Sequence, residues 1–149
     1  MTGKTDEERA GTAKTPEQAE ILERNALKAS NTRLAELARR RWVELRARDT
    51  KHGTPTDVER ECIEAVHALE KTKGTRATYT WRMFKDRGII PAVDHLVQQR
   101  KESAGYNALV AAGLKRHAFE AVVLRNPGVF SAEAVTSSRE RLGPDWKEP

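Results

Sequence analysis

Apolar residues recur along most of this chain at three- and four-residue intervals, with polar residues between them. Leu34, Leu37, Ala38, Trp42 and Leu45 make one such series, and Val58, Cys62, Ile63, Val66 and Leu69 make a second. That spacing puts each series on one face of an α-helix. No stretch alternates in the two-residue rhythm of a half-buried strand, and Val122-Val123-Leu124 falls inside a helical period. The pattern predicts an all-α protein, a small bundle of seven to eight short helices.

Local signals bound the helices. Thr15-Pro16-Glu17-Gln18 offers an N-cap, a proline at the first helical position and a glutamine three residues on. Ser30-Asn31-Thr32 interrupts that helix and offers a second N-cap. His52-Gly53-Thr54-Pro55 reads as a turn, and Thr56 with Glu59 as a capping box whose helix runs to Gly74. Further helices are expected over 77–87, 91–100, 106–112, 115–125 and 131–142. Tyr79, Met83 and Phe84 are expected to face inward, and Ser131 to cap the last helix. Residues 1–14 are polar and mixed in charge, which predicts a disordered N-terminal tail. The organisation expected is a tail over 1–14, a basic helical segment over 15–52 and a compact helical domain over 53–149.

Charge adds a functional expectation. Lys and Arg number 27 against 22 Asp and Glu, a net charge of +5. The surplus is uneven: residues 33–52 carry +4, 53–70 carry −4 and 71–101 carry +6. A basic surplus favours anionic partners, nucleic acid first among them. Two arrangements are open. If the basic blocks converge on one face with acidic helix 57–72 turned away, they meet phosphates. If they interleave with Glu59, Glu61, Glu64 and Glu70, the chain is a helical protein-interaction module. Arg39-Arg40-Arg41 spreads around a helix at about 100° per residue, so the three cannot face one strand of DNA.

The stretch 111–127, AAGLKRHAFEAVVLRNP, has the look of a helix-turn-helix unit with Gly113 in the turn. Ala108, Ala112, Leu114, Phe119 and Val122 fit the inward positions, although Leu109 is large for a close crossing. Lys115, Arg116 and His117 would then open the second helix, suited to phosphates and guanine edges. Gly88 is a second candidate turn, beside Arg82, Lys85 and Arg87. Arg76 belongs to the same basic block, and Trp81 lies next to Arg82 as a candidate stacking contact. The residues expected to bind nucleic acid are therefore Arg76, Trp81, Arg82, Lys85, Arg87, Lys115, Arg116 and His117.

Catalytic and metal chemistry find no footing. His52, His67, His95 and His117 are scattered without ligand spacing, and Glu64 with His67 supplies only one of the two motifs a di-iron bundle needs. Gly3-Lys4-Thr5 lacks the upstream glycine and strand of a phosphate loop. The single cysteine, Cys62, lies on a core face and fits a reducing compartment. The N-terminus has no apolar core of the signal-peptide kind, and no apolar run approaches membrane-spanning length. The expectation is a cytoplasmic DNA-binding regulator or accessory factor without cofactor or metal. Helices over 16–51 would be free to pair with a second copy or another protein.

Overall fold

A computed structural model describes residues 3–49 and 54–147; His52 and Gly53 of the expected turn lie outside the described residues. All regular structure among the described residues is helical. The chain forms two compact units, residues 1–55 and 56–149.

The first unit holds α1 (Asp6–Gly11), α2 (Pro16–Lys28) and α3 (Thr32–Asp49). Helix α1 replaces the disordered tail expected over 1–14. Its start is capped by Thr5, whose hydroxyl accepts from the Glu8 amide, and Ala10 is buried. Ties from α3 and the residue before it hold it: Arg33 pairs with Glu7, and Asn31 Nδ2 donates to Asp6 at 3.3 Å. Low local hydrophobicity hid this helix because its stabilisation comes from distant residues. Thr15 caps α2 through the Gln18 amide, while the Gln18 side chain reaches back to the Lys14 amide at 2.7 Å. Asn31 caps α3 through the Leu34 amide. Leu34, Ala35, Ala38, Trp42 and Leu45 are buried along α3.

Much of the basic charge of α3 is committed inside this unit. Arg41 Nε donates to the Ala13 carbonyl at 3.0 Å, and Arg40 pairs with Glu36 at 2.7 Å. Arg46 lies over the Trp42 ring, 5.6 Å from its centroid, and pairs with Asp49 at 3.5 Å.

The second unit is built from α4 (Asp57–Lys73), α5 (Thr78–Arg87), α6 (Ile89–Val97), α7 (Ala104–Ala111), α8 (Phe119–Arg125) and α9 (Ala132–Leu142). The Thr56–Glu59 capping box opens α4, and Gly74 closes it in the left-handed conformation. Cys62, Ile63 and Val66 are fully buried, with Phe84, Ile89, Val93, Val97, Val122 and Val123. Gly88 alone joins α5 to α6, at φ +92°, a value that disfavours any other residue. Helix α6 therefore begins two residues before the expected Pro91, which its first turn tolerates. Tyr79 departs from expectation: it is 64% exposed, while Met83 and Phe84 are buried as predicted.

Candidate functional site

The expected recognition helix over 115–125 does not form as one piece. Gly113, at φ +73°, follows the Ala112 C-cap and terminates α7 in the left-handed conformation. The Leu114 amide donates to the Leu109 carbonyl at 2.8 Å, the long bond of a Schellman motif, and the Leu109–Leu114 pair is its usual apolar companion. The large Leu109 that fitted a helix crossing poorly is thus accounted for by the cap. Lys115–His117 form a 3₁₀ turn, and α8 starts only at Phe119. The connection from Ala112 to Ala118 is longer than a helix-turn-helix turn of three or four residues.

The three basic residues of that turn are also partly engaged. Lys115 Nζ donates to the Leu142 carbonyl at 2.7 Å, so its ammonium neutralises the carboxyl end of α9. Arg116 is exposed and its Nε donates to His117 Nε2 at 3.3 Å. Both border a small concavity with Glu61, Glu64 and Arg125. Arg116 and His117 thus sit beside carboxylates, a poor place for phosphate.

The α5 group is differently placed. Tyr79, Arg82 and Lys85 are exposed and follow at three-residue spacing, so they share an arc of about 120° on the helix. Asp86 lies on the same arc. Arg87 is exposed at the helix end, and Arg76 is exposed in the loop leading into α5. Among the described residues, the side chains of Arg82, Lys85 and Arg87 make no ion pair. Trp81 does not belong to this face. It is half-buried, its indole N–H donates to Glu70 Oε2 at 2.9 Å, and its ring meets Phe84 edge-on with centroids 5.7 Å apart. Tyr79 is the exposed aromatic that sequence reasoning missed.

The acidic helix is occupied elsewhere. Glu59 accepts from the Thr56 amide at 2.9 Å. Glu61 takes Arg125 Nε at 2.9 Å and Asn126 Nδ2 at 3.0 Å. Glu70 accepts from the Ala77 amide at 2.8 Å as well as from Trp81. These carboxylates cap α4 and fasten α5 and α8 to it.

Beside the α5 face opens a groove of about 890 Å³ within the second unit. One side is formed by the end of α4 and the start of α5, the other by the segment between α6 and α7. Lys73, Arg76, Arg100 and Lys101 line it, with Glu102 as the nearby acid. Leu69, Leu109 and Phe119 contribute its apolar lining, and Tyr79 belongs to it as well as to the α5 face. At one wall Arg141 Nη1 donates to Glu120 Oε2 at 2.8 Å, and both side chains are almost inaccessible. Arg141 Nη2 also donates to the Gln99 carbonyl, and the Tyr106 hydroxyl donates to the Arg141 carbonyl at 3.0 Å. Burial raises the Glu120 carboxyl above its ordinary range even though the Arg141 hydrogen bond lowers it. Lys73, Arg100 and Lys101 were visible in sequence only as part of a positive block. Packing of α7 against α4 is what gathers them.

Among the described residues, no three His, Cys, Asp or Glu side chains gather as metal ligands do. No helix of the described residues is long and apolar enough to cross a membrane. Comparison with known protein families, with curated proteins and with solved structures finds no match to this chain.

Proposed function

We propose that this protein binds nucleic acid through the second unit, using the exposed face of α5 and the cations at the neighbouring groove. The observation that carries the reading is the set of Arg82, Lys85 and Arg87, exposed and without ion pairs among the described residues, while Glu59, Glu61 and Glu70 of α4 are engaged in a cap and in helix ties. Charges left unpaired at a surface meet phosphate without first breaking an internal bond. Lys73, Arg76, Arg100 and Lys101 line the neighbouring groove. Lys115 is outside it, because its ammonium is held by the end of α9.

Binding to a labelled random duplex, followed by anisotropy across a salt series, tests the reading. Affinity should fall linearly in log–log form, with a slope of about −0.9 per phosphate neutralised. Arg82→Ala with Lys85→Ala should make that slope shallower by about two and leave thermal stability unchanged. Absence of binding at low salt, to duplex and single strand alike, would remove the proposal.

A second reading has its own observation. Helix α2 exposes Ile21 and Leu27, each 51% accessible, on the first unit. A protein partner or a second copy would cover them, and sedentation-equilibrium mass measured against Ile21→Ser with Leu27→Ser tests self-association.

A further inference from the structure

From the groove we infer that the nucleic acid bound is single-stranded, with bases seated against the apolar lining and phosphates on the cations at its edge. The inference rests on the nucleic-acid reading above and names the form of the ligand. The groove combines two chemistries on one surface. Lys73, Arg76, Arg100 and Lys101 supply positive charge, and the half-buried Leu69 and Phe119 supply apolar surface, with Leu109 buried behind them. The matching polymer carries regular negative charge along one edge and flat apolar faces along the other. A single strand presents both. A duplex presents only the charge, because its base faces are stacked inside.

Tyr79 gives the strand a first platform. It is 64% exposed on the first turn of α5, it lines the groove, and Arg76 and Arg82 stand three residues to either side of it in sequence. Exposed aromatics beside a basic groove are how strands are held without sequence preference, since every base has a face to stack. The volume of about 890 Å³ accommodates bases rather than a helix of duplex width. Glu102 lies in the same lining and favours register in which a phosphate avoids it. Glu120 is not a competing charge of the same kind, because Arg141 holds it.

Three fluorescein-labelled probes of one length test the inference on the full chain: a mixed-sequence DNA strand, the same strand annealed to its complement, and a strand of the same backbone lacking bases. The mixed strand should bind more tightly than either of the others by at least about fivefold, the low end of a single base–aromatic stack. Tyr79→Ala should bring the mixed strand down toward the abasic one and leave duplex binding unchanged. Ala104→Leu, at an exposed position that lines the groove, should narrow it without adding an aromatic face and weaken the mixed strand more than the abasic one. Equal binding of mixed and abasic strands would overturn the inference, as would duplex binding as tight as strand binding; in both cases the cations still bind phosphate and the broader reading stands. No binding of any probe would overturn both.

Discussion

Glu120 and Arg141 show how one buried pair sets a pH dependence. Both side chains are under one-tenth exposed, and they meet at 2.8 Å. Removing a carboxylate from water disfavours its charged form, and here that effect outweighs the hydrogen bond from Arg141, so the carboxyl titrates above its ordinary value of 4.5. The folded chain therefore holds this proton more tightly than the unfolded chain. The stability that this carboxyl contributes is fully present below its ordinary value and is lost as pH rises through its raised one. Glu120→Gln keeps an oxygen for Arg141 but cannot ionise. Urea midpoints measured from mild acid upward should fall with pH in the parent protein relative to this variant. A parent midpoint that rises with pH across that window, relative to the variant, would mean that Arg141 dominates the pair.

At the scale of elements, the second unit is joined by side chains that finish one helix while belonging to another. Asp94 on α6 is the clearest case. Its Oδ2 accepts from the Ser131 amide at 2.7 Å and its Oδ1 from the Ser131 hydroxyl at 2.9 Å, while Ser131 itself caps α9 through the Ala134 amide. Loss of Asp94 removes two hydrogen bonds at a partly buried helix start. Asp94→Ala should lower stability by about 1–2 kcal/mol, read from a urea denaturation curve, whereas Asp86→Ala on the exposed face of α5 should change it little. The Ser131 cap was legible in sequence because it acts within one turn of its own helix. Its anchor on Asp94 was not, because the two residues come together only when α6 packs on α9. The same division explains the stretch 111–127. The order helix, glycine turn, helix is present there, but the expected helix over 115–125 is split into a 3₁₀ turn and a later α8. Nothing local said that Lys115 would turn aside to the end of α9 and delay the second helix to Phe119.

Across the whole molecule, what could be read early was the all-α class, the glycine-punctuated second half and the concentration of positive charge over 71–101. Periodicity and composition are enough for these. Helix α1 escaped because Arg33 and Asn31, far along the chain, hold its acidic first turn. The groove escaped because its cations come from the end of α4 and from the segment joining α6 to α7, which sequence places apart. Tyr79 escaped because helical spacing set it beside Met83 and Phe84, and only the packed structure shows that it turns outward. Within the first unit, Arg33, Arg40 and Arg46 of α3 meet Glu7, Glu36 and Asp49.

One buried atom offers an internal clock for this molecule. Cys62 is the chain's sole cysteine and has no measurable exposure. Burial, then the nearby charges of Glu61 and Glu59, push its thiol far above the ordinary range, so the reactive thiolate is suppressed while the fold is closed. Every encounter with a water-soluble disulfide reagent such as dithionitrobenzoate then has to wait for α4 to open. In native buffer the colour should develop slowly, and its rate should climb with urea in step with loss of helix by circular dichroism. Rapid labelling while the helices remain intact would instead reveal that α4 breathes on its own. Since no second thiol competes, the reading belongs to a single position, with the natural chain and no added label.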